Sequence, residues 1–139
     1  MTTAMKQIDQ MRRRAARYLD IEAVTTAPAR GVFSLSFDDI PASAWTEAGP
    51  ILAQHGVKAT YYVCGGLAGG VNMGRDQFQV EHLQALHAAG HEVGCHTFGH
   101  TSALRMDAEA LRLSLDANAA WVAERLDGYR MTTFAWPFG

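Results

Sequence analysis

The stretch Ser36-Phe37-Asp38-Asp39 ends an apolar run that begins at residue 31. A short run of this kind is typical of a buried β-strand, and two carboxylates follow directly after it. Successive side chains leaving an extended segment point in different directions, so the two carboxylates suit different roles. One can bind a metal ion while the other takes a proton from a water molecule. Taken alone, the pair is weak evidence of a hydrolytic site, because aspartate is also a common turn and cap residue.

A second polar stretch, His96-Thr97-Phe98-Gly99-His100, also follows a short apolar segment. A pair of histidines four residues apart is weak evidence of a metal site when it stands alone, because histidine has many other roles. Combined with one carboxylate, the pair would leave open positions on the ion. Open positions are typical of catalytic rather than structural metal sites.

The order of the predicted elements places both stretches at strand ends. The sequence predicts helices over 5–19, 43–55 and 78–89 and from residue 107 onward, with strands over 31–37, 57–64, 92–95 and 131–136. Strands that alternate with helices favour an α/β fold with parallel strands and right-handed crossovers. In such folds the chemistry lies at the carboxyl ends of the strands, so we expect the two stretches to meet there.

Several residues should set the limits of these helices. Pro50 should bend the second helix or delay its start, and Gly56 should end it in the left-handed conformation. Asp107 should cap the last helix. The apolar face of that helix should carry Leu111, Leu115, Ala119, Val122 and Leu126.

Composition narrows the class of protein. The 139 residues suffice for one domain, and a hydrophobic content of 48% with 19% charged residues is ordinary for a soluble protein. A net charge of −2 gives no reason to expect a nucleic-acid partner, and no apolar run approaches the length of a membrane span. Two cysteines and the lack of an apolar leader favour a cytoplasmic protein, if the chain is complete at its start.

Two further features have both a structural and a functional interpretation. The glycine-rich stretch that begins at Gly65 lacks the spacing of a phosphate-binding loop, so we interpret it as a flexible rim. We expect four aromatic residues to lie in the core, with stacking on a sugar as the alternative. They are Trp45, Tyr61, Tyr62 and Trp136.

These stretches resemble the polysaccharide deacetylase family, also called the NodB-homology domain or carbohydrate esterase family four. Residues 36–39 are similar to its Thr-Phe-Asp-Asp motif, and residues 96–100 match its His-Ser/Thr-x-x-His motif. Residues 135–138, Ala-Trp-Pro-Phe, align with its Arg-x-Pro-Tyr/Phe motif. The resemblance covers about residues 31–139, and the combination of the first two motifs is specific.

The resemblance implies roles for the individual residues. Asp38 would be the general base, while Asp39, His96 and His100 would hold a divalent metal. Zinc is our first expectation, with cobalt, nickel and manganese as alternatives. The family removes acetyl groups from sugars, and some members cleave amide bonds of small metabolites. We therefore expect an acetylated sugar or a small amide as substrate.

The same resemblance places the last residues at the substrate. The backbone N–H near Phe138 would help to stabilise the oxyanion, with Pro137 and Trp136 beside it. Ala135 replaces the arginine that usually pairs with the base. The family's later motifs, including the histidine that acts as general acid, do not occur in this sequence.

The predicted architecture is an N-terminal helix and connector over 1–30, followed by a deacetylase-like domain over 31–139. That domain would be a partial or distorted (β/α) barrel of about four parallel strands with helical crossovers. Four strands leave an open sheet edge, which favours a homo-oligomer. Two alternatives remain: a catalytically incomplete relative that binds a metal or a carbohydrate, and an iron oxygenase with two histidines and one carboxylate. The alternating α/β order weighs against the oxygenase.

Overall fold

A computed structural model describes residues 27–138 and, nearer the N-terminus, Gln7, Ile8, Met11, Arg14 and Ala15. The chain separates into two compact units, residues 1–33 and Ser34–Phe138, and the second unit holds both candidate motifs. The predicted helix over 5–19 falls mostly outside the described residues, although the five that are described there have helical backbone. The proposed domain boundary at residue 30 stays a prediction.

Short strands and helices alternate along the second unit. The strands are β1 (Ser36–Asp38), β2 (Thr60–Val63), β3 (Val71–Asn72), β4 (Arg75–Asp76) and β5 (Glu92–Cys95). The α-helices are α1 (Ser43–Thr46), α2 (Ala48–Gln54), α3 (Val80–Ala88) and α4 (Ala108–Arg125), and 3₁₀ turns span Gly65–Leu67 and Ala103–Arg105. The antiparallel hairpin of β3 and β4 lies in a stretch that the sequence predicted to be an unstructured loop.

The centre of the fold is a parallel sheet in the order β1-β2-β5. Tyr61 is in register with Phe37 on one side and Val93 on the other. The rings of Phe37 and Tyr61 stack with their centroids 4.9 Å apart, and both Tyr61 and Val93 are fully buried. The predicted α/β class with parallel strands is confirmed. The first strand is shorter than predicted, since it begins at Ser36 rather than residue 31.

The predicted fourth strand is reduced to a single parallel bridge between Cys95 and Phe134. The N–H of Cys95 donates to the Thr133 carbonyl at 2.8 Å, and the N–H of Ala135 donates to the Cys95 carbonyl at 3.0 Å. The prediction of a full strand over 131–136 is therefore wrong in extent. Pro137 ends the pairing on one side because it has no N–H to donate. The described residues do not close the sheet into a barrel, so barrel closure and self-association stay predictions.

The helix predicted over residues 43–55 is two helices that meet at Glu47. Pro50 lies in the first turn of α2, where its missing N–H costs no intrahelical hydrogen bond. Gly56 follows with a φ of 63°, as predicted. Among the described residues, no helix is both long and apolar enough to cross a membrane.

Helix α4 begins as predicted, since the Asp107 carboxylate accepts a hydrogen bond from the N–H of Ala110 at 2.8 Å. Its buried face differs from the prediction at one position. Ala119 is exposed, and Asn118 is fully buried instead. A polar residue can occupy this face because two main-chain groups lie beneath it, and one of them, the N–H of Gly65, needs an acceptor. Asn118 accepts from the N–H of Gly65 and donates to the carbonyl of Val63, both at 2.8 Å.

Candidate functional site

The first side of the site is the sharp turn that follows β1. Asp39 and Ile40 have positive φ angles of 64° and 54°. Such angles are strained for residues other than glycine and cost about 1–3 kcal/mol each. The turn persists because Ile40 is fully buried and its carbonyl accepts a hydrogen bond from the N–H of Phe78 at 3.0 Å. The turn separates the two carboxylates: Asp39 is half-buried, whereas Asp38 is exposed.

The second side is the tight turn that follows β5. Thr97 and His100 have φ angles of 63° and 50°, so the chain folds back on itself within four residues. This return brings the rings of His96 and His100 to 5.2 Å between centroids. The N–H of Phe98 donates to Ser114 Oγ of α4 at 3.0 Å and fixes the turn to the helix.

The two turns bring the predicted metal ligands together. Oδ1 of Asp39 lies 2.9 Å from Nε2 of His100 and 3.4 Å from Nε2 of His96. One ligand atom from each of the three residues lies within 4.8 Å of the others. Oδ1 is buried, yet it has no hydrogen-bond partner among the described residues. A buried carboxylate oxygen facing two imidazole nitrogens fits a divalent metal, which would satisfy all three atoms.

Neighbouring groups orient these ligands. Nδ1 of His96 lies 2.9 Å from the carbonyl oxygen of Ala135. Because a carbonyl only accepts, Nδ1 carries the proton and Nε2 of the neutral ring is left with a lone pair. The other oxygen of Asp39, Oδ2, accepts a hydrogen bond from Nδ2 of Asn72 at 3.3 Å.

Asn72 was not predicted as a site residue. It belongs to β3, whose two-residue connection to β4 consists of Met73 and Gly74 with φ angles of 50° and 74°. Two positive φ angles are typical of a tight hairpin turn. Gly74 was the only sequence signal of that hairpin, and it could not show that the hairpin folds over Asp39.

The local environment keeps His100 in the form that binds metals. Burial is the main cause that lowers the pKa of His100, and the nearby ring of His96 lowers it further. The carboxylate of Asp39 opposes both effects. The net shift is downward, which favours the neutral imidazole, the form that binds a metal.

Asp38 does not join the three ligands but lies at a cavity beside them. The cavity has a volume of about 250 Å³. Its walls are formed by Asp38, Asp39, Pro41, Asn72, Met73, Arg75 and Gln77. The predicted base therefore faces a space that is open to a ligand and adjoins the metal site.

The residues predicted at the substrate have three different environments. The ring of Phe138 lies 4.5 Å from the ring of His100. Trp136 is 46% exposed and packs edge-on against Phe134 at 4.7 Å. Pro137 is buried. Phe138 thus lies beside the candidate site and Trp136 is exposed, whereas Pro137 is a packing residue.

Of the four aromatic residues, Tyr61 and Trp45 belong to the core, as favoured by the sequence, whereas Tyr62 does not. Tyr61 is buried and donates its hydroxyl to the carbonyl of Ala44 at 3.1 Å, and Trp45 packs against the core cluster. Tyr62 is half-buried above Gly94, its partner in register on β5.

Gly65 and Gly66 do not form the rim that we predicted. A Cβ on Gly65 would lie 2.8 Å from the Trp121 ring and 3.0 Å from the Phe98 ring. The N–H of Gly66 donates to the carbonyl of Phe98 at 2.9 Å. Because they have no side chain, these glycines allow the end of β2 to pack closely against the turn of residues 96–100.

Known proteins share the fold and part of the sequence. A chitin deacetylase of Pestalotiopsis sp is 30% identical over 88 residues, which are 63% of this chain and 28% of that protein. The structure of IcaB from Ammonifex degensii superposes with a TM-score of 0.70 at 22% identity and covers 76% of this chain and 50% of that one. The Streptococcus pyogenes deacetylase PplD, solved in complex with acetate, also gives 0.70 at 22% identity, with coverages of 82% and 49%.

This chain therefore spans half or less of the length of these relatives. The two structural likenesses show a common fold. The sequence profile described as polysaccharide deacetylase matches residues 25–139. This range includes the turn after β1 with Asp39, the turn after β5 with His96 and His100, and Ala135, whose carbonyl contacts His96. The chain belongs to the polysaccharide deacetylase family.

Proposed function

We propose that this chain carries the metal-binding part of a deacetylase that hydrolyses acetyl groups on amino sugars, or a related amide of a small molecule. The observation that supports this most directly is the unpartnered Oδ1 of Asp39 between Nε2 of His96 and Nε2 of His100. A divalent ion held there, zinc first, with cobalt, nickel and manganese as alternatives, would supply Lewis-acid activation of the acetyl carbonyl and of the attacking water.

Asp38 is the proposed general base. Its carboxylate is exposed at the cavity and adjoins Asp39 in sequence, so it can accept the proton that the attacking water loses. The ligand Asp39 is already engaged by Asn72 through its second oxygen. The two carboxylates thus have separate tasks, one in proton transfer and one in holding the ion.

The C-terminal segment has two proposed tasks. The carbonyl of Ala135 orients His96, a contact that uses the main chain and therefore survives the replacement of the family's usual arginine by alanine. The backbone N–H near Phe138 is the proposed donor to the oxyanion, and the exposed ring of Trp136 offers a surface for a sugar.

Metal binding and turnover should be measured separately on the purified chain. Calorimetric titration with Zn²⁺ should show one site, which Asp39→Asn and His100→Ala weaken at least about tenfold. Acetate release from N-acetylglucosamine oligomers and from small acetamides should require that metal. Asp38→Asn should lower turnover at least about 100-fold while leaving the metal affinity unchanged.

Asp76→Asn is the matched control, because Asp76 is an exposed carboxylate of β4 that does not line the cavity. It should change neither quantity. A chain that binds the metal without releasing acetate would be the catalytically incomplete relative. A chain that binds no divalent metal at micromolar concentration would overturn the proposal.

A further inference from the structure

One of the residues that line the cavity beside the metal site has a polar atom that the proposed reaction does not use. Gln77 lines this cavity and is only 2% exposed. Its Oε1 is buried and finds no hydrogen-bond partner in the part of the chain that the structure describes. Buried acceptors are rarely left unpaired in folded proteins, and an unpaired one at a binding site points to a ligand.

The orientation of this amide follows from its other end. Nε2 of Gln77 donates to the carbonyl oxygen of Arg75 at 3.1 Å. A flipped amide would place two acceptors against each other, so the oxygen must be the atom that lacks a partner. What Gln77 lacks is therefore a donor, either a hydroxyl or an N–H.

The backbone fixes Gln77 in this place. The N–H of Gln77 donates to the carbonyl of Gly70 at 2.9 Å, and Gln77 pairs with Pro41 in an antiparallel bridge. The next residue, Phe78, is fully buried and donates to the Ile40 carbonyl at 3.0 Å. The main chain of Gln77 is thus held at Gly70 and at the turn that carries Asp39, which fixes the point from which its side chain extends.

The cavity suits a small polyhydroxylated ligand. Its volume of about 250 Å³ is a little below the range of about 300–1,000 Å³ that takes drug-sized ligands, which fits one sugar ring better than several. Five of its seven lining residues have polar or charged side chains, and their carbon atoms with Pro41 and Met73 supply an apolar surface for the face of a sugar ring. Such walls offer both donors and acceptors to hydroxyl groups.

We propose that Gln77 is a specificity-determining residue whose Oε1 accepts a hydrogen bond from a hydroxyl or an acetamido N–H of one sugar unit bound in this cavity. The proposal rests on the proposed function for its choice of ligand. Its test uses binding rather than turnover, so that the two can fail independently.

The first experiment titrates N,N′,N″-triacetylchitotriose into the metal-loaded chain by calorimetry. Gln77→Met keeps the length of the side chain and removes the acceptor. We expect it to weaken binding about tenfold, because the donor on the sugar is then buried without a partner. The affinity for Zn²⁺ should stay the same, since Gln77 contacts none of the three ligands.

Gln84→Met is the matched control. Gln84 lies on α3, is exposed, and also donates its Nε2 to a main-chain carbonyl, that of Arg125 at 3.3 Å. The control loses a similar hydrogen bond outside the cavity and should bind the oligomer like the unaltered chain. Equal affinities of all three proteins, or no binding of the oligomer to the unaltered chain, would overturn the role of Gln77.

A second experiment leaves the protein unaltered and changes the ligand, so it does not depend on the folding of a variant. Replacing the acetamido N–H by an ester oxygen tests one donor, and single-deoxy analogues test each hydroxyl. One of these analogues should bind about tenfold more weakly than the parent, and its identity names the donor. If every analogue binds like the parent, Gln77 accepts no hydrogen bond from the sugar. Loss of turnover with binding intact would count against the proposed function alone.

Discussion

Nδ1 of His96 lies 2.9 Å from the carbonyl oxygen of Ala135, although the two residues are 39 positions apart in the chain. This contact joins the end of the described chain to a candidate metal ligand. It depends on the bridge between Cys95 and Phe134, which sets the main chain of residue 135 beside the histidine turn. The single bridge that remains of the predicted fourth strand therefore has a role in the site, because it places the carbonyl of Ala135 against His96.

The contact predicts the tautomer of His96. In the metal-free chain, at a pH where the ring is neutral, the proton should be on Nδ1 and absent from Nε2. Nitrogen-15 correlation spectra of the imidazole rings distinguish the two forms, and His96→Ala supplies the assignment. A proton found on Nε2 would show that this nitrogen is not free for a metal.

The buried amide of Asn118 should contribute more to the stability of the fold than the size of this side chain suggests. Asn118→Leu leaves the N–H of Gly65 buried without a partner, so we expect a loss of about 2 kcal/mol in the free energy of unfolding. The carbonyl of Val63 would keep the hydrogen bond that it accepts from the N–H of His96. Urea denaturation measures this loss. The exposed neighbour Ala119 is the control, and Ala119→Ser should change stability by less than about 0.5 kcal/mol. Similar values for the two variants would contradict the assigned role of the amide.

Gly94 should not tolerate a side chain. A Cβ there would lie 2.5 Å from the ring of Tyr62 and 2.7 Å from Oγ1 of Thr133. Gly94→Ala should therefore destabilise the fold by about 1–3 kcal/mol through overpacking. At Gly99 the nearest atom to a new Cβ would be 3.7 Å away, an ordinary contact. Gly99→Ala should unfold at nearly the same temperature as the unaltered chain in calorimetry, and an equal loss in both variants would rule out the steric cause.

His91 should make stability depend on pH. Its Nδ1 accepts a hydrogen bond from the N–H of Ala59 at 3.1 Å, and burial lowers its pKa, with the charge of Lys58 as a smaller cause. The unfolded chain then binds a proton more readily than the folded one, so stability is complete above a pH of about 6.5 and falls as the pH drops below it.

This pH effect can be assigned by comparing variants. Gln in place of His91 offers an acceptor that does not titrate in this range. His91→Gln should reduce the loss of stability between pH 7 and pH 5, measured by urea denaturation at each pH. His55, which lies outside the core, supplies the control through His55→Gln. A slope that His91→Gln leaves unchanged would exclude His91 as its source.

The sequence was sufficient to bring Asp39, His96 and His100 together because strand ends constrain their positions. Asp39 and His96 directly follow strands that are parallel in one sheet, so topology alone brings them to the same edge. His100 is added by a turn of four residues. Sequence neighbours and the order of the strands determine these positions, and both can be predicted from residue types.

The residues that the sequence did not reveal act over long separations. Asn72 reaches Asp39 because a hairpin folds back over the site, and Asn118 reaches Gly65 across 53 positions. In sequence, an asparagine on the apolar face of a helix appears as a gap in the pattern. Hydrophobicity alone places Ala119 on that face, whereas the buried N–H of Gly65, which needs an acceptor, favours Asn118.

The hairpin of β3 and β4 is held to the fold by its main chain. The N–H of Ala42 donates to the Asp76 carbonyl at 2.9 Å, and the N–H of Gly69 donates to the Phe78 carbonyl at 2.9 Å. Neither bond involves a side chain. The side chains at the tip, Met73 among them, can therefore be exchanged as a set in a library while the anchoring bonds remain. The hairpin is therefore a place where the wall of the cavity can be varied while the candidate ligands Asp39, His96 and His100 stay unchanged.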